Sequence, residues 1–62
     1  MTVKRVQAAA ELRGIYFNGV RQWLNNTVGY GYYFRSPSGG LNQADTLSGI
    51  YRQIMKYPKT NN

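Results

Sequence analysis

The sequence predicts a small α+β domain with one or more helices at its N-terminus, a short β-hairpin or wing at its centre and an amphipathic helix at its C-terminus. Three observations predict it. Helix-forming residues fill the start of the chain, aromatic residues and glycines fill the middle, and apolar residues recur every three or four positions after Asn42. A chain of 62 residues has room for a single domain, 1–62.

The first element is a helix predicted over Thr2–Arg13. Thr2 is suited to cap its N-terminus, because its hydroxyl can accept a hydrogen bond from the first turn. The run Ala8–Ala10 is strongly helix-forming. Gly14 suits the end of the helix.

The segment 15–24 has three interpretations, which the sequence leaves open. Asn18-Gly19 is typical of a two-residue hairpin turn that would pair Ile15–Phe17 with Val20–Leu24. The same asparagine is equally suited to cap a second helix with an apolar face. The apolar spacing also fits one helix from 3 to 25, although each glycine inside it would cost about 1 kcal/mol relative to alanine.

The second half of the chain is predicted as a strand, a turn and a helix. Thr27–Phe34 is rich in strand-favouring residues, and Ser36–Gly40 has the composition of a turn. The last helix begins at Asn42 or Asp45 and ends before Pro58, and 59–62 is expected to be a loose tail. The apolar stripe of this helix consists of Ala44, Leu47, Ile50, Tyr51 and Ile54.

The composition excludes several kinds of function. The chain contains no His and no Cys, so zinc ligation by these residues and a Ser-His or Cys-His nucleophile pair are impossible. Glu11 and Asp45 are its two carboxylates, too few for a typical carboxylate metal site. We therefore expect a binding protein rather than an enzyme, with no metal and no cofactor.

The charge indicates the class of partner. Eight Lys and Arg against two acidic residues give a net charge of +6, which is typical of proteins that bind polyanions. Double-stranded DNA is the expected partner, and an anionic membrane surface is a weaker alternative. No apolar run is long enough to span a bilayer or to form a secretory signal, so the cytoplasm is the expected location.

Residues 9–25 resemble a helix-turn-helix. Ala9-Ala10 would allow close packing of two helices, Gly14 would form the turn, and Val20 and Trp23 would anchor a recognition helix. Leu12 lies one residue further from the glycine than is usual, which implies a longer turn. The positions that would face the major groove are Tyr16, Phe17, Asn18, Arg21, Gln22 and Asn25.

The order of the predicted elements extends this resemblance to the small winged-helix domains of the MerR and phage excisionase families. The resemblance covers residues 3–56 and departs from the families in its very short return strand, 40–42. It implies a small regulator of the phage or mobile-element type, with a homo-oligomer possible. In the resemblance, Arg21 and Gln22 contact the major groove, and Arg35, Ser36 and Ser38 contact phosphates.

The hairpin interpretation leads to a second resemblance. Gly19–Gln22, Tyr32–Phe34 and Pro37–Gly39, followed by a helix, resemble the plant ethylene-response and methyl-CpG-binding domains. In those sheet-plus-helix DNA readers, a β-ribbon enters the major groove. The element that the sequence lacks is a third strand of useful length before the helix. Both resemblances place Arg21 and Arg35 at DNA.

Aromatic residues are concentrated in 16–34, where seven of the nine lie. Strand alternation predicts that Tyr30 and Tyr32 share one face and that Tyr33 lies on the other. Aromatic residues at this density build a core, a platform on which bases stack, or a protein-binding surface.

These observations predict a basic DNA-binding protein. Lys4, Arg5, Arg35 and Lys56 would dock on phosphates, and Asn18, Arg21 and Gln22 would read bases. Lys4 and Arg5 lie at a helix N-terminus, where the helix dipole disfavours cations, so ligand binding explains their placement better than stability does. The alternative is a small phage-type inhibitor or adaptor that binds a host protein through Tyr30, Tyr32 and Tyr33.

Overall fold

Along the chain, a helix comes first, the three strands of an antiparallel sheet follow, and a second helix comes last. The computed structural model describes residues 1–60. Its elements are α1 (Val3–Glu11), β1 (Gln22–Asn25), β2 (Gly29–Arg35), β3 (Leu41–Ala44) and α2 (Leu47–Met55). The strand order is β1-β2-β3, with each pair antiparallel. The predicted α+β class, with a helix on each side of a central β-structure, is confirmed.

Helix α1 begins where the sequence predicts and ends two residues earlier. The Thr2 hydroxyl accepts a hydrogen bond from the Arg5 amide at 3.3 Å, so the predicted N-cap is confirmed. The chain leaves the helix because Gly14 adopts a φ of +69°, a conformation that glycine takes without strain. The Ile15 amide then donates to the Ala10 carbonyl at 2.9 Å, which completes the helix end.

Residues 15–21 form neither a second helix nor a hairpin arm. Ile15 and Phe17 are buried in alternation, and the Gln7 side chain donates to the Phe17 carbonyl at 3.2 Å. The burial of alternate residues and this bond from α1 hold the segment extended against the core.

The predicted turn at Asn18-Gly19 is likewise not a hairpin connection. The Asn18 side chain accepts a hydrogen bond from the Val20 amide at 3.0 Å and closes a local turn instead of capping a helix. The first strand begins only at Gln22 and pairs with β2. The recognition helix expected over 18–25 is therefore not formed.

The return strand β3 is longer than expected, and α2 is shorter. Ala44 pairs with Tyr32 in the sheet, so it does not belong to the stripe of the last helix as predicted. Thr46 caps α2, since its hydroxyl accepts from the Gly49 amide at 3.0 Å. The predicted helix starts at Asn42 and Asp45 are wrong because both residues precede this cap.

The core lies between the two helices and one face of the sheet. Phe34, on β2, is 1% exposed and stacks edge-on against Tyr57 at 6.0 Å. Tyr32 and Ala44 pack against the core from the same face. The other buried members are Val6, Ala10, Ile15, Phe17, Ile50 and Ile54.

Arg13 ties together the C-terminal ends of both helices. This arginine is 6% exposed. Its Nη1 donates to the Ala9 carbonyl at 2.9 Å, and its Nε donates to the Tyr57 carbonyl at 3.0 Å. The Ala9 carbonyl is among the last of α1, which lack partners within the helix and carry the negative end of its dipole. The Tyr57 carbonyl follows the end of α2, so one buried cation joins the two helix ends.

The chain after α2 returns to the same region. The Thr60 amide donates to the Leu12 carbonyl at 2.8 Å, and the Thr60 hydroxyl donates to it at 3.2 Å. This part of the predicted loose tail is thus anchored to the end of α1, and 61–62 lie outside the described residues. Within residues 1–60, neither helix is long and apolar enough to cross a membrane.

Replacement of Arg13 by Met is expected to lower the free energy of unfolding by about 2–4 kcal/mol, because two charged hydrogen bonds are lost and two carbonyls are left without a donor. Arg13→Lys retains the charge but cannot span both carbonyls, so it should lose less stability than Arg13→Met. Arg52→Met, at an exposed cation of α2, is the control and should change stability little. Urea denaturation measures all three. Equal losses in Arg13→Met and Arg52→Met would contradict the assignment.

Replacement of Gly31 by Ala is expected to destabilise the sheet by about 1–3 kcal/mol, the usual cost of overpacking. A Cβ at Gly31 would meet the Ala44 carbonyl and lie 2.8 Å from Asp45 Cα, so the end of β3 must move. Gly29→Asn in the same strand is the control, because nothing lies within 4 Å of its Cβ position and Asn tolerates its φ of +79°. In thermal unfolding, Gly31→Ala should have a clearly lower Tm than Gly29→Asn. The reverse order would exclude the close approach of β3 to Gly31.

Candidate nucleic-acid interface

The sheet has one face toward the core and one face toward solvent. Side chains alternate along a strand, so Tyr33 and Arg35 point away from the face on which Phe34 is buried. Residues paired across neighbouring strands share a face. The register therefore places Gln43 beside Tyr33 and Leu41 beside Arg35. We call the set Gln22, Tyr33, Arg35, Leu41 and Gln43 the outer face, because Gln22 pairs with Gly31 on the same side of β2.

The outer face is accessible at the end where β2 and β3 meet their turn. Arg35 is exposed, and its partner Leu41 is 50% exposed. Arg35 and Tyr33 line a cleft of about 160 Å³ together with Tyr16 and Asn18. The structure thus brings the predicted residues Asn18 and Arg35 together, although not through a helix.

The turn between β2 and β3 is held by its own side chains. Ser36 is buried, and its hydroxyl accepts from the Gly40 amide at 2.9 Å and bonds to the Ser38 hydroxyl at 3.0 Å. Arg35 Nη1 donates to the Gly39 carbonyl at 3.1 Å. The two serines, predicted as phosphate contacts, therefore shape the turn, and the burial of Ser36 does not favour such a contact for it. Ser38 remains exposed.

Gln43 is oriented by a residue of the neighbouring hairpin. Asn25 Nδ2 donates to Gln43 Oε1 at 2.8 Å, while Asn25 Oδ1 accepts from the amides of Thr27 and Val28. Asn25, expected to face the major groove, instead fixes the β1–β2 turn and the glutamine amide. Neither Gln43 nor this role of Asn25 was predicted, because both depend on strand pairing.

A groove of about 670 Å³ adjoins Gln43. Arg52 and Lys56 line it from α2, and Asp45 contributes one carboxylate. The predicted phosphate contact Lys56 therefore lies beside the sheet and next to a second cation, Arg52, that was not among the predicted contacts. A pair of exposed cations beside an amide-bearing strand is suited to a phosphate backbone.

The remaining predicted cations lie in the helical layer. Lys4 and Arg5 are exposed on α1, and Arg5 lines a shallow groove with Leu12 and Tyr51. The groove that Arg5 lines contains no residue of the outer face, and α1 packs on α2.

The three tyrosines predicted as one binding surface are divided between two faces. Tyr32 packs against the core, where its ring lies 5.9 Å from that of Phe17. Tyr33 lies on the outer face and Tyr30 on the opposite one, as strand alternation predicts. A single surface of these three residues is therefore not formed.

Tyr30 instead belongs to a cluster with Trp23 and Arg21. The Trp23 and Tyr30 rings meet edge to face at 5.4 Å, and Arg21 Cζ lies 5.8 Å from the Tyr30 ring centroid. Arg21, predicted as a base reader, thus points to the side opposite Gln22. Trp23, expected to anchor the recognition helix as part of its apolar face, is 55% exposed.

Comparison of the chain with models of known protein families, with curated proteins and with solved structures finds no match. What the chain binds is therefore inferred from the chemistry of its own surface.

Proposed function

We propose that this protein is a small DNA-binding regulator that docks the outer face of its sheet in the major groove of duplex DNA. The observation that carries the proposal is the combination of Arg35, Gln43 and Gln22 on the solvent side of a three-stranded antiparallel sheet, in a chain of net charge +6. Arg and Gln are residue types that read base edges through paired hydrogen bonds.

The dimensions of the sheet fit this docking. Neighbouring strands lie about 4.8 Å apart, so three strands are about 10 Å wide. The major groove of B-form DNA is about 12 Å wide and accepts a β-ribbon. The core that both helices share packs on the opposite face at Tyr32 and Phe34, so the outer face can enter the groove without loss of the core.

Cations beside the sheet supply the phosphate contacts. Arg52 and Lys56 flank Gln43 on α2, so they would meet the DNA backbone next to a base-reading residue. Arg5 lines a separate groove with Leu12 and Tyr51 and serves as an internal comparison. The arrangement resembles the sheet-plus-helix DNA readers more than a winged helix, because β3 supplies a third strand and no recognition helix is formed.

Fluorescence anisotropy of a labelled duplex of random sequence tests the proposal, with about 20 base pairs giving two helical turns. Binding should weaken more than tenfold between about 50 and 200 mM salt, since several phosphates are contacted. Arg35→Ala should weaken binding about fivefold or more. Arg5→Ala removes the same charge from the helical layer and should change the Kd less than twofold.

Two results would overturn the proposal. One is the absence of binding by the folded protein at low salt. The other is an equal loss in Arg35→Ala and Arg5→Ala, which would indicate attraction by net charge without a defined face. Circular dichroism of each variant confirms that the fold is retained.

A further inference from the structure

Trp23 and Tyr30 form an exposed aromatic pair on the side of the β1–β2 hairpin opposite the outer face. They are directly paired across the strands, and the two residues are 55% and 56% exposed. Farther along the same face of β2, Tyr32 and Phe34 are covered by the core. The pair therefore lies on the same face of the sheet as the core, at the end of the hairpin that the core does not cover.

This exposure is costly for so small a domain. A tryptophan and a tyrosine each bury 150–250 Å² or so, about the largest apolar areas available to a core residue. The seven buried hydrophobic residues of the described chain do not include either ring. Two adjacent aromatic residues left in water therefore indicate a ligand that covers them.

The geometry of the pair leaves a stacking surface open. The rings are inclined at 71°, so each covers only part of the other. The Arg21 guanidinium lies over Tyr30 and places a positive charge at the edge of the pair. A flat ring that stacks on Trp23 would bring an attached anionic group close to this cation.

We propose that Trp23, Tyr30 and Arg21 bind an unpaired base of single-stranded DNA and its phosphate. The base stacks on the indole, and Arg21 contacts the phosphate. Aromatic platforms with adjacent cations bind single strands in this way, with little dependence on sequence. The net charge of +6 favours a polyanion over an apolar peptide. The choice of DNA over RNA rests on the proposed function.

Trp23 is the one tryptophan of the chain, so it reports directly on stacking. Titration of the 62-residue chain with oligo(dT) of about 12 nucleotides should quench its fluorescence saturably. Arg21→Gln and Tyr30→Leu should each weaken binding about fivefold or more, as measured by that quenching. Anisotropy of labelled oligo(dT) extends the test to Trp23→Leu, which should show the largest loss.

Matched controls separate this site from general attraction. Tyr16→Leu alters a tyrosine that is 83% exposed and lines the cleft beside Tyr33 and Arg35. Arg52→Gln removes one charge from α2. Both should bind oligo(dT) within twofold of the parent protein. Arg35→Ala should weaken the binding of duplex and leave that of oligo(dT) unchanged.

Three outcomes would overturn the inference. They are equal losses in Tyr30→Leu and Tyr16→Leu, equal quenching by inorganic polyphosphate, which has no bases, and equal quenching by vesicles of anionic lipid. If duplex binding fails while oligo(dT) quenches Trp23 as described, the proposed duplex function falls and the single-strand site stands.

Discussion

The buried guanidinium of Arg13 is the constraint on which the helical layer depends. A domain of this size has a small core, and the two helices contribute only a few buried aliphatic residues each. Apolar contact alone would let two short helices slide along each other. The bonds from Arg13 to the Ala9 and Tyr57 carbonyls fix where the helices end relative to each other, because the planar guanidinium has its donors in set directions.

Once the helical layer is fixed, strand β2 divides the functions of the molecule. Its even-numbered residues Tyr32 and Phe34 complete the core, and its odd-numbered residues Tyr33 and Arg35 lie on the outer face. Tyr30 belongs to the core side by alternation but lies beyond its cover. One strand thus contributes residues to the core, to the outer face and to the aromatic cluster. The outer face is separated from the other two because successive side chains of a pleated strand point to opposite faces.

Features that depend on neighbours in sequence could be predicted, and features that depend on distant contacts could not. The Thr2 cap, the turn at 36–40 and the apolar spacing of Ile50 and Ile54 are local signals. The conformation of 15–21 is set by α1 and by the burial of Phe17, so its Asn-Gly dipeptide misleads. Strand β3 is short and half polar and is held by its pairing with β2, so a return strand at 40–42 could be predicted but its extension to Ala44 could not.

The candidate site shows the same division. Arg35 could be identified from its place beside the predicted turn at 36–40, whereas Gln43 could be recognised only once the register with Tyr33 was known. The helix interpretation places Trp23 on a buried apolar face, but no such helix is formed. In the sheet Trp23 pairs with Tyr30, at a part of β2 that the core does not cover.

The edges of the sheet have a consequence for self-assembly. Gln53 Nε2 donates to the Gln43 carbonyl at 2.7 Å, so a side chain of α2 occupies an acceptor of β3 that another chain would otherwise use. On the other side, β1 is four residues long and the register of its pairing shifts between Trp23 and Asn25. Blocked, short and irregular edges are poor templates for an added strand. The sheet is thereby protected from edge-to-edge aggregation, even with two aromatic rings in solvent nearby.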